Sequence, residues 1–223
     1  MAMIAEQLAG KRIAITGATG FVGTALVERL LRSVPECELV LLIRGGKRGA
    51  PERARREIFK NDCFDRVRRE TSSGSSGESF DEMIARRVQT INGDVGTDGL
   101  GLNEADAAIL ASCDTIIHSA AAVAFDSPLD SAVEINLLGP TRVAEALQKL
   151  GVTPHLVTVS TCYVAGNRRG NAPEELVSEG PFDLGINWRK EVVAARRLRS
   201  DAEAASRMPD KLCLLYTSDA ADE

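Results

Sequence analysis

The sequence predicts an α/β fold with a doubly wound parallel sheet, and two observations carry that prediction. Short apolar runs alternate with segments of helical periodicity, the order that builds strands joined by crossover helices. At the N-terminus a strand pattern, a glycine-rich turn, an amphipathic helix and a second apolar strand follow one another within a single βαβ unit.

Strands are expected near 12–16, 38–44, 88–92, 114–119 and 155–160, and helices near 21–32, 51–69, 79–86, 103–112, 128–149 and 187–206. Pro140, one residue after Gly139, should kink the helix over 128–149 or split it in two. The stretch Thr71-Ser-Ser-Gly-Ser-Ser-Gly77 reads as a loop tip.

The run Thr16-Gly-Ala-Thr-Gly-Phe-Val-Gly23 sits where the first strand meets the first long helix. Its glycines divide the labour of dinucleotide binding: a tight turn at Gly17, close approach of backbone to pyrophosphate at Gly20, and helix-on-strand packing at Gly23. The helix N-terminus beyond them offers free N–H groups and a partial positive charge to the phosphates. Gly17, Thr19, Gly20, Phe21, Val22 and Gly23 are therefore the expected cofactor contacts of this loop.

The residue ending the second strand lies beside the 2′ position of the adenosine ribose, and here it is Arg44. An acid there would accept from the ribose hydroxyls of NAD, whereas arginine suits the 2′-phosphate of NADP. Between Arg44 and Glu70 ten basic residues face five acidic ones, a local charge of +5 in an acidic protein. The distal arginines of that run read equally well as a solvated helix surface.

Ligands of such sheets lie across the carboxyl ends of the strands. After the third strand come Asp94 and Val95, where the short acid could accept from the adenine amino group or serve as a turn cap. After the fourth come Ala120 and Ala121, small enough for a nicotinamide ribose to approach the backbone. His118, which ends that strand, reads as a satisfied core residue and stays outside the mechanism.

The chain has 223 residues and a formal charge of −5, which gives no sign of nucleic-acid binding. Cys37, Cys63, Cys113 and Cys162 form no C-x-x-C pair and no metal spacing with His118 or His155, so no metal is expected. They read as reduced thiols of a cytoplasmic protein. No apolar run approaches a membrane span, and no signal-peptide pattern opens the chain. Residues Cys213 to Glu223 resemble translated sequencing adapter, and without that tail, which holds three acids and no base, the charge is −2. On this reading residues 1–212 are an NAD(P)-binding domain, incomplete at its C-terminus, and 213–223 a tail belonging to no packed element.

The order of motifs resembles the extended short-chain dehydrogenase/reductases, and within them the fatty acyl-CoA reductases. The resemblance rests on the glycine run, Leu-Leu-Ile-Arg at 41–44, Phe-Asp-Arg-Val-Arg at 64–68, Gly-Asp-Val at 93–95, Ile-Ile-His-Ser-Ala-Ala at 116–121, Glu-Ile-Asn-Leu-Leu-Gly at 134–139 and Val-Ser-Thr-Cys-Tyr-Val at 159–164. It implies a Rossmann fold, cut before the C-terminal substrate-binding part, and NADPH-dependent reduction of a fatty acyl-CoA to aldehyde or alcohol in the intact enzyme. It also implies a catalytic hydroxyl at Thr161, with Ser160 as fallback, beside a Tyr-x-x-x-Lys pair. Neither tyrosine is followed by Lys four residues on, since Tyr163 meets Asn167 and Tyr216 meets Ala220. That pair is expected beyond the fragment. Another extended reductase, acting on a carrier-bound thioester, a sugar nucleotide or a steroid, and a non-catalytic NADP-sensing module are the alternatives.

Overall fold

A computed structural model describes residues 3–73, 77–124, 127–162, 169–180 and 183–207. Its contacts divide the chain into two compact units, one formed by 1–123 with 134–160 and the other by 124–133 with 161–223.

The first unit is built on a five-stranded sheet in which every pairing is parallel: β1 (Arg12–Thr16), β2 (Glu38–Ile43), β3 (Val88–Asn92), β4 (Thr115–His118) and β5 (His155–Thr158), in the order β3-β2-β1-β4-β5. The doubly wound parallel sheet expected from the sequence is thus present. Its two faces are separated by the period-two geometry of a strand. Ile13, Ile15, Leu39, Leu41 and Ile43 point into one apolar layer with Val27, Leu30, Ile58, Phe64 and Met83. Ala14, Val40, Leu42, Ile91 and Ile116 point into the other with Leu110, Val143 and Leu147. Helices α1 (Ile4–Leu8), α2 (Phe21–Ser33), α3 (Gly49–Ala54), α4 (Asp65–Ser73) and α5 (Phe80–Arg87) precede β3 in the chain, and α6 (Glu104–Ala111) precedes β4. Burial on both faces is why β2 reads as an unbroken apolar run, with five of its six residues buried.

A buried guanidinium joins α2 to β2. Arg87 donates to the carbonyls of Leu31 and Val34, at 2.7 Å each, and to that of Cys37 at 3.0 Å. Carbonyls in the last turn of a helix lack intrahelical donors, so Arg87 supplies donors where α2 hands over to the second strand.

Four sequence expectations are corrected. The helix over 51–69 is not continuous. It runs as α3, a π-turn at Arg55–Phe59, a break in which Asn61 accepts from the Cys63 N–H, a 3-10 turn at Asp62–Phe64, and α4. Ile58 and Phe64 are six residues apart, out of helical phase, and the break lets both be fully buried with Phe64 edge-on to Phe59 and Phe80. The helix over 128–149 is α7 (Leu129–Ala132), a π-turn at Val133–Leu137 and α8 (Leu138–Lys149). The interruption lies upstream of Pro140, which occupies the first turn of α8, where a missing N–H costs little. The expected loop at 71–77 is helical at Thr71–Ser73, whose hydroxyls donate to carbonyls one turn back. Strands β2, β4 and β5 also end one or two residues sooner than expected, which leaves Arg44, Ser119 and Ser160 just beyond them.

In the second unit α9 (Trp188–Ser206) is capped by Asn187, whose side chain accepts from the N–H groups of Arg189 and Lys190. Arg199 of α9 binds Asp130 of α7 at 2.5 Å and Glu203 one turn on at 2.8 Å. Tyr163 and residues 213–223 lie outside the described residues.

Candidate cofactor-binding site

The carboxyl ends of β1, β2, β3 and β4 open onto a cleft of about 710 Å³, counting space open to solvent. Thr16, Gly17, Thr19, Gly20, Leu42, Ile43, Arg44, Arg53, Gly93, Asp94, Val95, Ser119, Ala120, Ala121 and Ile135 line it. Gly17, Thr19, Gly20, Arg44, Asp94, Val95, Ala120 and Ala121, singled out from sequence, are therefore brought together in one groove.

The groove's floor is tight because backbone meets backbone. Gly17 adopts φ +73°, and a Cβ there would lie 2.6 Å from the Ala120 nitrogen and from the Ser119 carbonyl. Gly23 serves packing: a Cβ on it would come within 2.1 Å of the Gly17 oxygen. Gly20 caps α2, and the first N–H to bond back along the helix is that of Thr24, at 2.9 Å from the Gly20 oxygen. The Gly20 N–H donates to the Gly17 carbonyl at 3.0 Å, and the N–H groups of the first helical residues, which have no acceptor one turn back, face the helix N-terminus. Phe21 and Val22, expected among the cofactor contacts, are 94% and 53% exposed and lie outside the lining.

Thr16, at the end of β1, organises the floor. Its hydroxyl oxygen accepts from the Ala120 N–H at 3.3 Å and lies 2.8 Å from His118 Nδ1, while its carbonyl accepts from the Ser119 hydroxyl at 3.1 Å. His118 is buried at 3% exposure, and burial pushes its pKa below the ordinary imidazole value. It is a satisfied core histidine, as the sequence suggested.

Just beyond β2, Arg44 Nη1 stands 3.9 Å from Asp94 Oδ2, an exposed pair that contributes little by itself. Asp94 also caps its own turn, accepting from the Gly96 N–H at 2.8 Å, so turn-capping is present whether or not it meets an adenine. Arg53 was missed by sequence reasoning. Its Nη1 donates to the Arg44 carbonyl at 3.0 Å and its Nε to Glu57 at 2.9 Å, and it faces both the groove and a neighbouring basic hollow with Lys47, Arg48 and Arg56. The positive excess between 44 and 70 could have signalled it. Asn92 secures this turn by accepting from the Gly45 N–H at 2.8 Å.

Ser160 closes the sheet-bearing unit just after β5, whose residues are all exposed, while Thr161 belongs to the second unit. Among the described residues no group of three or more His, Cys, Asp or Glu could hold a metal, and no helix is long and apolar enough to cross a membrane.

A parallel sheet whose first strand turns through Gly17 into a helix N-terminus, with a cleft across the strand ends, defines a dinucleotide-binding domain of the doubly wound type. Residues 15–215 match the family model described as male sterility protein, and the chain belongs to that family, the NAD(P)-binding domain of extended short-chain dehydrogenase/reductases. It is 32% identical over 185 residues to fatty acyl-CoA reductase 1 of Rattus norvegicus, covering 82% of this chain and 34% of the relative. It is 30% identical over 199 residues to fatty acyl-CoA reductase 8 of Arabidopsis thaliana, covering 85% and 39%. Among solved structures it is similar to the terminal R domain of the myxalamid biosynthetic pathway, with a TM-score of 0.53, 29% identity, and coverage of 72% of this chain and 37% of that one. The chain thus spans well under half the length of these relatives.

Proposed function

We propose that this chain is the NADPH-binding domain of a fatty acyl-CoA reductase. The observation that supports the cofactor choice most is the pairing of Arg44 with Arg53 at the ribose end of the groove, where the β2 strand ends in a base. When bound, NADPH supplies hydride to the acyl carbon of a thioester. The chain's own residues hold the pyrophosphate at the α2 N-terminus, seat the 2′-phosphate on Arg44, and let the nicotinamide ribose lie over Ala120 and Ala121. The Thr161 hydroxyl, or Ser160 in its place, would donate to the carbonyl oxygen as negative charge gathers there; collapse would expel the thiolate, which takes up a proton, and leave an aldehyde, and reaching the alcohol would consume a second NADPH and a second proton.

The likeness to the R domain favours one second reading, a thioester carried on a protein-bound arm instead of on CoA. Both share the cofactor step. Equilibrium titration of the chain with NADPH and NADH tests it. Arg44→Ala should weaken NADPH binding roughly 10- to 150-fold, the worth of about 1.5–3 kcal/mol for a hydrogen bond to a charged group, and leave NADH nearly unchanged. Equal losses for the two cofactors would count against the reading.

A further inference from the structure

Two segments line the groove side by side in the sheet-bearing unit, the loop after β3 through Asp94 and Val95 and the π-turn through Ile135. A buried arginine on α8 holds both. Arg142 Nε donates to Asp98 Oδ1 at 2.8 Å and Nη1 lies 3.5 Å from the Val95 carbonyl, while Nη1 and Nη2 donate to the Glu134 carbonyl at 2.8 Å and to Glu134 Oε2 at 2.6 Å. Its side chain is 7% exposed. Burial disfavours its charge, but the hydrogen bonds to Glu134 and Asp98 outweigh that cost. Gly139, one turn earlier on α8, presses on the same wall, since a Cβ there would lie 3.5 Å from Val95 Cγ2.

We propose that Arg142 is a positioning residue for the cofactor groove: one guanidinium ties the Val95–Asp98 loop to Glu134, and so fixes the spacing between Asp94, Val95 and Ile135. It touches no cofactor. Its partners lie 44 and 8 positions away in sequence, so one side chain bonds two segments that the chain order keeps apart. The inference deepens the NADPH reading and rests on it.

The test compares the full chain with Arg142→Met, which keeps the apolar stem without the charge, with Arg142→Lys, and with Asp98→Ala, whose side chain is 90% exposed and whose loss leaves the core intact. Dissociation constants for NADPH and for 2′,5′-ADP are measured well below each melting temperature, and the melting temperature separately. Arg142→Met should weaken both ligands by the same factor, roughly 2- to 30-fold, as for residues that act on a site without contacting its ligand. Arg142→Lys should recover part of the loss, and Asp98→Ala should show a smaller loss in the same direction. Folded variants that bind like the wild type, with only the melting temperature lowered, would overturn the positioning role. Should Arg142→Met fail to fold, unchanged binding by Asp98→Ala would do the same. A wild-type chain that does not bind NADPH would instead overturn the cofactor reading and the role of Arg142 with it.

Discussion

Alanine at three glycines separates two kinds of strain on the dinucleotide loop. Gly17 combines a left-handed backbone, φ +73°, with a Cβ position 2.6 Å from the Ser119–Ala120 peptide. Gly10 has φ +66° and open space around its Cβ position, and Gly23 has only the contact, at 2.1 Å from the Gly17 oxygen. A left-handed alanine costs about 1–2 kcal/mol, part of it offset by about 0.4–1 kcal/mol from the less flexible unfolded chain. Overpacking adds about 1–3 kcal/mol, and at Gly17 the obstacle is backbone, which yields least. Gly10→Ala should therefore cost no more than about 1–2 kcal/mol, and Gly17→Ala about 2–5 kcal/mol. With roughly 2–4 °C lost per kcal/mol in a domain of this size, Gly17→Ala should lower the calorimetric midpoint by about 5–20 °C. Gly23→Ala, whose obstacle is also backbone and closer still, should cost at least the overpacking share, about 1–3 kcal/mol. If Gly17→Ala proved no worse than Gly10→Ala, the close approach of Gly17 to the β4 loop would be refuted, and with it the tight floor of the groove.

Arg87→Met should destabilise the fold by about 3–5 kcal/mol, because three buried carbonyls lose their donor; urea denaturation measures it, and a change within about 0.5 kcal/mol would contradict the capping role. His118 titrates below its ordinary value in the fold, so the unfolded chain takes up its proton first as pH falls. Stability should be level above about pH 6.5 and decline below it by up to 1.4 kcal/mol per pH unit for this one group. Comparing His118→Asn with the wild type over pH 5–8 isolates that slope, and identical curves would rule it out.

Much of the fold was legible because a parallel strand covered on both faces has little alternative composition: the centres of β1, β2 and β4 stand out as apolar runs. Their last residues did not, since Arg44 and Ser119 leave the ladder for reasons of turn geometry. The break at Lys60–Asn61 was readable in the phase slip between Ile58 and Phe64. The π-turn at Val133–Leu137 was not, because one extra residue per turn leaves no mark in composition. Within the site, glycines and small residues announced themselves by chemistry, as did Arg44 by position. Arg53 and Arg142 did not, because their partners, the Arg44 carbonyl and the carboxylates of Asp98 and Glu134, meet them only in the folded chain. Phe21 and Val22, expected among the contacts of the glycine loop, lie outside the lining of the groove.

The most direct test of the account is a crystal structure of the chain with NADP bound. The account predicts the pyrophosphate against the α2 N-terminus between Gly17 and Gly20, with the 2′-phosphate within hydrogen-bonding distance of Arg44 and beside Arg53. A dinucleotide lying outside the groove, or a 2′-phosphate pointing into solvent away from both arginines, would contradict it.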